Sequence, residues 1–146
     1  MANSLSNFFI PFLLIALGAC ATPKTTPSPE PRTLILGDET FLEEDLGGFT
    51  SWYCKDFINR DRIIIEVGFF NDAPIKSLGF LLYDGGDIGE ITFYRRMGLE
   101  HRWDWGENAA YSFVIKTDDT GLYYDFTTVS EGESTRARAL YKCYQR

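Results

Sequence analysis

Few side chains in this sequence could carry acid–base or nucleophilic chemistry. The single histidine, His101, lies in Leu99-Glu100-His101-Arg102-Trp103-Asp104-Trp105-Gly106. Any hydrogen-bonded triad must use it, with Asp104 as its partner carboxylate. No serine stands in a Gly-x-Ser-x-Gly elbow, and one histidine cannot supply multi-histidine zinc ligation. Asp84, Asp87 and Glu90 bring carboxylates together, but not at the spacing of an EF-hand loop, and Asp84-Gly85-Gly86-Asp87 reads as a hairpin turn. The expectation is a non-enzymatic chain with no catalytic residue, metal or cofactor.

Binding chemistry is better represented. Trp103 and Trp105 are flanked by Arg95, Arg96 and Arg102. Strand alternation would put both tryptophans on one face, and guanidinium groups beside them can stack on the rings or bind carboxylates. Tryptophan and arginine dominate binding hot spots, so these five residues are the candidate binding face. The competing reading is that the tryptophans are core. Overall charge narrows the partners: 14 Lys+Arg against 21 Asp+Glu leave a net charge of -7. That argues against nucleic acid and against a general attraction to anionic lipid headgroups. It suits a cationic protein partner, and Asp38, Glu39, Glu43, Glu44 and Asp45 form the most acidic stretch. Such runs are also ordinary solvated faces.

The elements that must position these residues are strands. Aromatic residues make up 16% of the chain, and Ile, Val, Thr, Tyr and Phe dominate the apolar runs. Strands are expected over 33–36, 49–57, 62–70, 77–83, 88–97, 111–117, 122–129 and 136–144. Turn residues separate them at the short spacing of an antiparallel fold. The acidic stretch 37–46 reads as a helical turn or loop. Period-two alternation places Ile63, Ile65, Val67 and Phe69 on one face and Tyr111, Phe113 and Ile115 on another, with Leu122, Tyr124 and Phe126 available across the turn. The fold class is all-β, an antiparallel barrel or sandwich of about seven to eight strands covering residues 33–146.

Ahead of this domain the composition changes twice. Phe8 to Leu17 is an apolar run of about ten residues, too short for a bilayer core that needs roughly twenty. Residues 1–19 therefore read as an export signal, although the first seven carry no Lys or Arg. Residues 21–32 contain Pro23, Pro27, Pro29 and Pro31 and no large apolar side chain, which gives an extended spacer. Between them, Leu17-Gly18-Ala19-Cys20 resembles the lipobox of bacterial lipoproteins. The resemblance implies cleavage before Cys20 and a diacylglycerol and an N-acyl chain on that residue, enough lipid for stable anchoring. Ala21, with no Asp after the cysteine, implies transfer to the outer membrane, with the domain facing the periplasm. Once Cys20 is assigned to lipid, Cys54 and Cys143 remain as an even pair in an oxidising compartment, so a disulfide is expected.

A tethered all-β lipoprotein with Tyr53-Cys54-Lys55 in an early strand and Lys142-Cys143 in the last resembles the membrane-bound inhibitors of C-type lysozyme. That family's Ser-Gly-Ala-Arg-Tyr and Trp-x-Lys-Gly segments do not occur in this sequence. The resemblance implies a small stapled barrel and carries over no inhibitory residue. The functional expectations are an envelope binding or interaction module, an inhibitor of a cationic cell-wall hydrolase, or a small-ligand carrier if the interior is open.

Overall fold

Antiparallel hairpins follow one another around the molecule until the last strand meets the first long one. The computed structural model describes residues 30–58, 61–72, 77–129 and 135–146. The strands are β1 (Thr33–Leu36), β2 (Glu39–Leu42), β3 (Phe49–Asp56), β4 (Ile63–Phe70), β5 (Leu78–Tyr83), β6 (Ile88–Met97), β7 (Glu100–Trp105), β8 (Tyr111–Ile115), β9 (Thr120–Asp125) and β10 (Ala139–Gln145). From β3 to β10 each pairs with the next, and β10 returns to β3. The result is a closed eight-strand antiparallel barrel with two strands outside it. Closure removes the unpaired edges that an open sheet would expose.

The disulfide sits on the closing seam. Cys54 and Cys143 are direct cross-strand partners of β3 and β10, and their sulfurs are bonded. Both side chains are fully buried inside the barrel. Opposite them is Gly121, where an added Cβ would lie 2.7 Å from the Cys143 sulfur and 2.7 Å from the Phe113 ring. The missing side chain there leaves the space that the disulfide and Phe113 fill.

The alternation of β4 is broken by a bulge. Cys54 pairs with Ile65 but Lys55 pairs with Ile63. The extra residue puts Ile64, rather than the expected Ile63, against the interior cluster. Ile65, Val67 and Phe69 point inward as expected. Register corrects a second expectation, on β9. The turn after β8 has three residues, Thr117 to Asp119, closed by the Lys116 amide donating to Thr120 O at 2.9 Å and with Asp119 at φ 62. Phe113 therefore faces Tyr123, and Ile115 faces Gly121. Leu122, Tyr124 and Phe126 fall on the outer side, because a one-residue change of register exchanges the faces.

Residues 37–46 form more structure than a loop. β2 completes a hairpin with β1, and a short 3₁₀ turn covers Glu43–Leu46. Leu34 and Leu36 bury against Phe70, Phe80 and Leu82, so this hairpin covers a second apolar cluster outside the barrel. Arg32, the last residue of the expected spacer, is fixed to it. Its guanidinium donates to both oxygens of Glu66 at 3.1 and 3.2 Å and to Asp87 at 2.5 and 3.0 Å, and lies over the Phe49 ring. Glu66 is 1% exposed, and Arg32 is the cation that compensates it.

Candidate functional site

The two ends of the barrel interior are built from similar residues and packed differently. One end is filled. Trp103 on β7 is fully buried, and its indole N–H donates to the Gly68 carbonyl at 2.7 Å. It reaches across β5 at Gly79, where an added Cβ would lie 2.9 Å from the ring. Around it pack Trp52, Phe69, Tyr94 and His101. Phe69 stacks on Tyr94 with centroids 4.3 Å apart, and Trp52 lies 4.5 Å from the His101 ring. The Tyr94 hydroxyl is 2.8 Å from His101 Nδ1. Burial first, and then the Arg96 guanidinium, push the His101 pKa down, so the ring is held neutral.

The other end is open. A cavity of about 720 Å³ is lined by Ile64, Ile65 and Leu81 at its apolar side and by Tyr83, Trp105, Tyr111, Tyr123 and Tyr141 elsewhere. Trp105 lies 5.7 Å from Tyr111 and 6.0 Å from Tyr123, with Tyr111 and Tyr123 nearly parallel at 6.5 Å. These three rings make a continuous wall. Strand pairing explains the opening: β6 and β7 are registered only from Phe93–Asp104 to Met97–Glu100. The start of β6, at Ile88 and Gly89, pairs instead with β1. Glu90 on one strand and Trp105 and Gly106 on the other line the cavity beside this split.

Its electrostatics are negative. Asp84 and Glu90 line it, and none of the described lining residues is basic. Asp84 pairs with Arg62 at 2.7 Å on the exposed rim. Tyr83, Tyr123 and Tyr141 all have raised pKa values. Burial is the main cause for each, and Glu90, Asp125 and Asp56 respectively add to it. Their hydroxyls stay neutral, able both to donate and to accept.

The five residues of the expected binding face do not form one surface. Trp103 is inside the filled end and Trp105 is at the open end. Arg95 and Arg102 point outward from the barrel and hold the carboxylate of Asp104 at 3.1 and 2.7 Å. Arg96 is exposed and donates to Gly98 O. His101 and Asp104, three positions apart on one strand, face opposite sides, which separates the acid–base pair considered from the sequence. Among the described residues no group of His, Cys, Asp or Glu is placed to hold a metal ion. Cys20 lies outside the described residues.

The tyrosines were missed because each sits in a different strand. One local signal was present: Tyr111 opens the alternating run that includes Phe113 and Ile115, directly after Trp105 and a short loop. Trp105 and Tyr111 are indeed cross-strand partners. β7 was not among the expected strands; Gly98 at φ 66 and Leu99 make a two-residue turn between the paired Met97 and Glu100, so β7 folds back on β6.

No protein-family description, curated protein or solved structure matches this chain.

Proposed function

We propose that this protein is a non-enzymatic binding protein of the bacterial envelope, hung from the outer membrane by lipid on Cys20, which holds a small ligand in the open end of its barrel. The observation that carries this reading is the aromatic cavity. A volume of about 720 Å³ falls in the range of small-molecule sites, and its lining of apolar and aromatic side chains with a few polar groups has the usual composition of one. The filled end supplies the rigid frame, so the mouth need not collapse to stabilise the fold. The placement of Arg32 fits a tether: it binds Asp87, in the same turn as the cavity residue Asp84.

Native mass spectrometry of the protein purified from its own envelope tests the reading. A small molecule should be retained at one per chain by the native protein and lost from Ile64→Trp, which fills the cavity from its wall. Two proteins equally free of ligand would count against it. The anchor is tested separately by incorporation of a palmitate analogue, abolished in Cys20→Ala.

A second reading, inhibition of a cationic cell-wall hydrolase, rests on the exposed acidic corner of Asp38, Glu39, Glu44 and Asp45. Unaltered lysozyme turnover at excess protein would remove it.

A further inference from the structure

We infer that the ligand of the barrel mouth is an organic ammonium cation, a reading that rests on the mouth being a ligand site at all. The first reason is the lining. Five aromatic rings surround the cavity, and the negative faces of tyrosine and tryptophan rings attract ammonium groups, most strongly where water is excluded. The second reason is Glu90. It is half-buried, it lines the cavity, and its carboxylate makes no hydrogen bond or ion pair with any described residue. Its carboxylate lines the cavity with no cation beside it, and a cationic ligand would supply the missing counter-charge.

The surroundings reinforce the same sign. Arg62 neutralises Asp84 at the rim, whereas Glu90 sits deeper on β6 beside Leu81 and has no such cation. Asp56 and Asp125 also act on the mouth, each raising the pKa of a neighbouring tyrosine. Neutral phenol oxygens can accept hydrogen bonds from an ammonium N–H, and no described basic side chain lines the cavity to repel it. An anionic ligand would meet the carboxylates of Asp84 and Glu90, of which only Asp84 has a cation beside it. A neutral sugar could stack on the rings but would leave Glu90 uncompensated, so it is the competing outcome of the test.

The test compares choline with 3,3-dimethylbutan-1-ol, its neutral carbon isostere, by NMR titration of the tryptophan indole N–H signals. The chain from residue 20 onward with Cys20→Ser is used, since it keeps every described residue. Choline should shift the Trp105 indole and bind on the order of tenfold more tightly than the isostere. Glu90→Gln, which keeps the shape and removes the charge, should weaken choline binding several-fold and so narrow that preference to the part the rings supply, with little effect on the isostere. An unshifted Trp103 indole signal shows that the variant is folded, because that N–H is bonded inside the barrel. Equal binding of the two probes, or tighter binding of a neutral sugar such as glucose, overturns the cation and leaves the carrier reading standing. Failure of all probes to shift Trp105 overturns the cation. If no small molecule is retained by the native protein either, the carrier reading fails with it.

Discussion

Trp103 and Trp105 are two residues apart on the same strand and face the same interior, yet one is a structural plug and the other part of a cavity wall. The difference lies in their neighbours. Trp103 stands where β6 and β7 are still paired, with Gly79 leaving room for its ring and Gly68 accepting its N–H. Trp105 stands just beyond the last registered pair of β6 and β7, where β6 has turned to β1. Residue type therefore does not separate core from site in this barrel. Strand pairing does.

The comparison can be broken first at the level that joins the two ends. Removing the disulfide with Cys54→Ala and Cys143→Ala should cost about 4 to 5 kcal/mol in the chain-entropy account, for a loop whose ends are 89 residues apart. Urea unfolding measures it. A loss below about 1 kcal/mol would mean that closure of the barrel holds β3 and β10 without the bond.

Trp103→Ala should follow, at about 3 to 5 kcal/mol, because it empties a close-packed region and leaves the Gly68 carbonyl without its donor. Trp105→Ala should cost only about 1 kcal/mol, since its ring is half-exposed to the cavity, while abolishing retention of a ligand. Equal destabilisation by the two substitutions would contradict the division between a filled and an open end.

Tyr94→Phe sharpens the picture of the filled end by removing the hydroxyl beside His101. A loss of about 0.5 to 1.5 kcal/mol is expected, with no change in ligand retention. The smallest effect is one of pH. His101 titrates below its ordinary 6.5 because of burial and then Arg96. As pH falls below about 6.5 the unfolded chain takes the proton before the folded one, so stability is complete above that pH and declines as pH drops through the folded value. Urea midpoints should fall between about pH 7.5 and about pH 5.5, and His101→Phe should flatten the change. A midpoint that does not move in the native protein would place His101 in solvent.

Much of this architecture was legible in the sequence. Alternation in Ile65-Val67-Phe69 and Tyr111-Phe113-Ile115, with Asp, Asn and Gly turns between runs, gave the all-β class and two interior faces. Cys54 and Cys143 could be paired by elimination and are bonded. Three features could not be read. The bulge at Ile64 and the three-residue turn before Thr120 each change a face by a single residue, and periodicity alone does not show where such steps fall. The departure of β6 toward β1 is a long-range pairing, and it is what turns Trp105 and Glu90 into cavity residues. Finally, Tyr83, Tyr111, Tyr123 and Tyr141 come from four strands, so no local pattern groups them.

Hydrogen exchange at the three tryptophan indoles, followed by NMR on the ligand-free protein, tests the division of the barrel most directly. Trp103, buried and bonded to Gly68, should exchange its indole proton orders of magnitude more slowly than Trp105 at the open cavity. Comparable protection of Trp103 and Trp105 would contradict the account, because it would mean that the mouth is as closed as the plug.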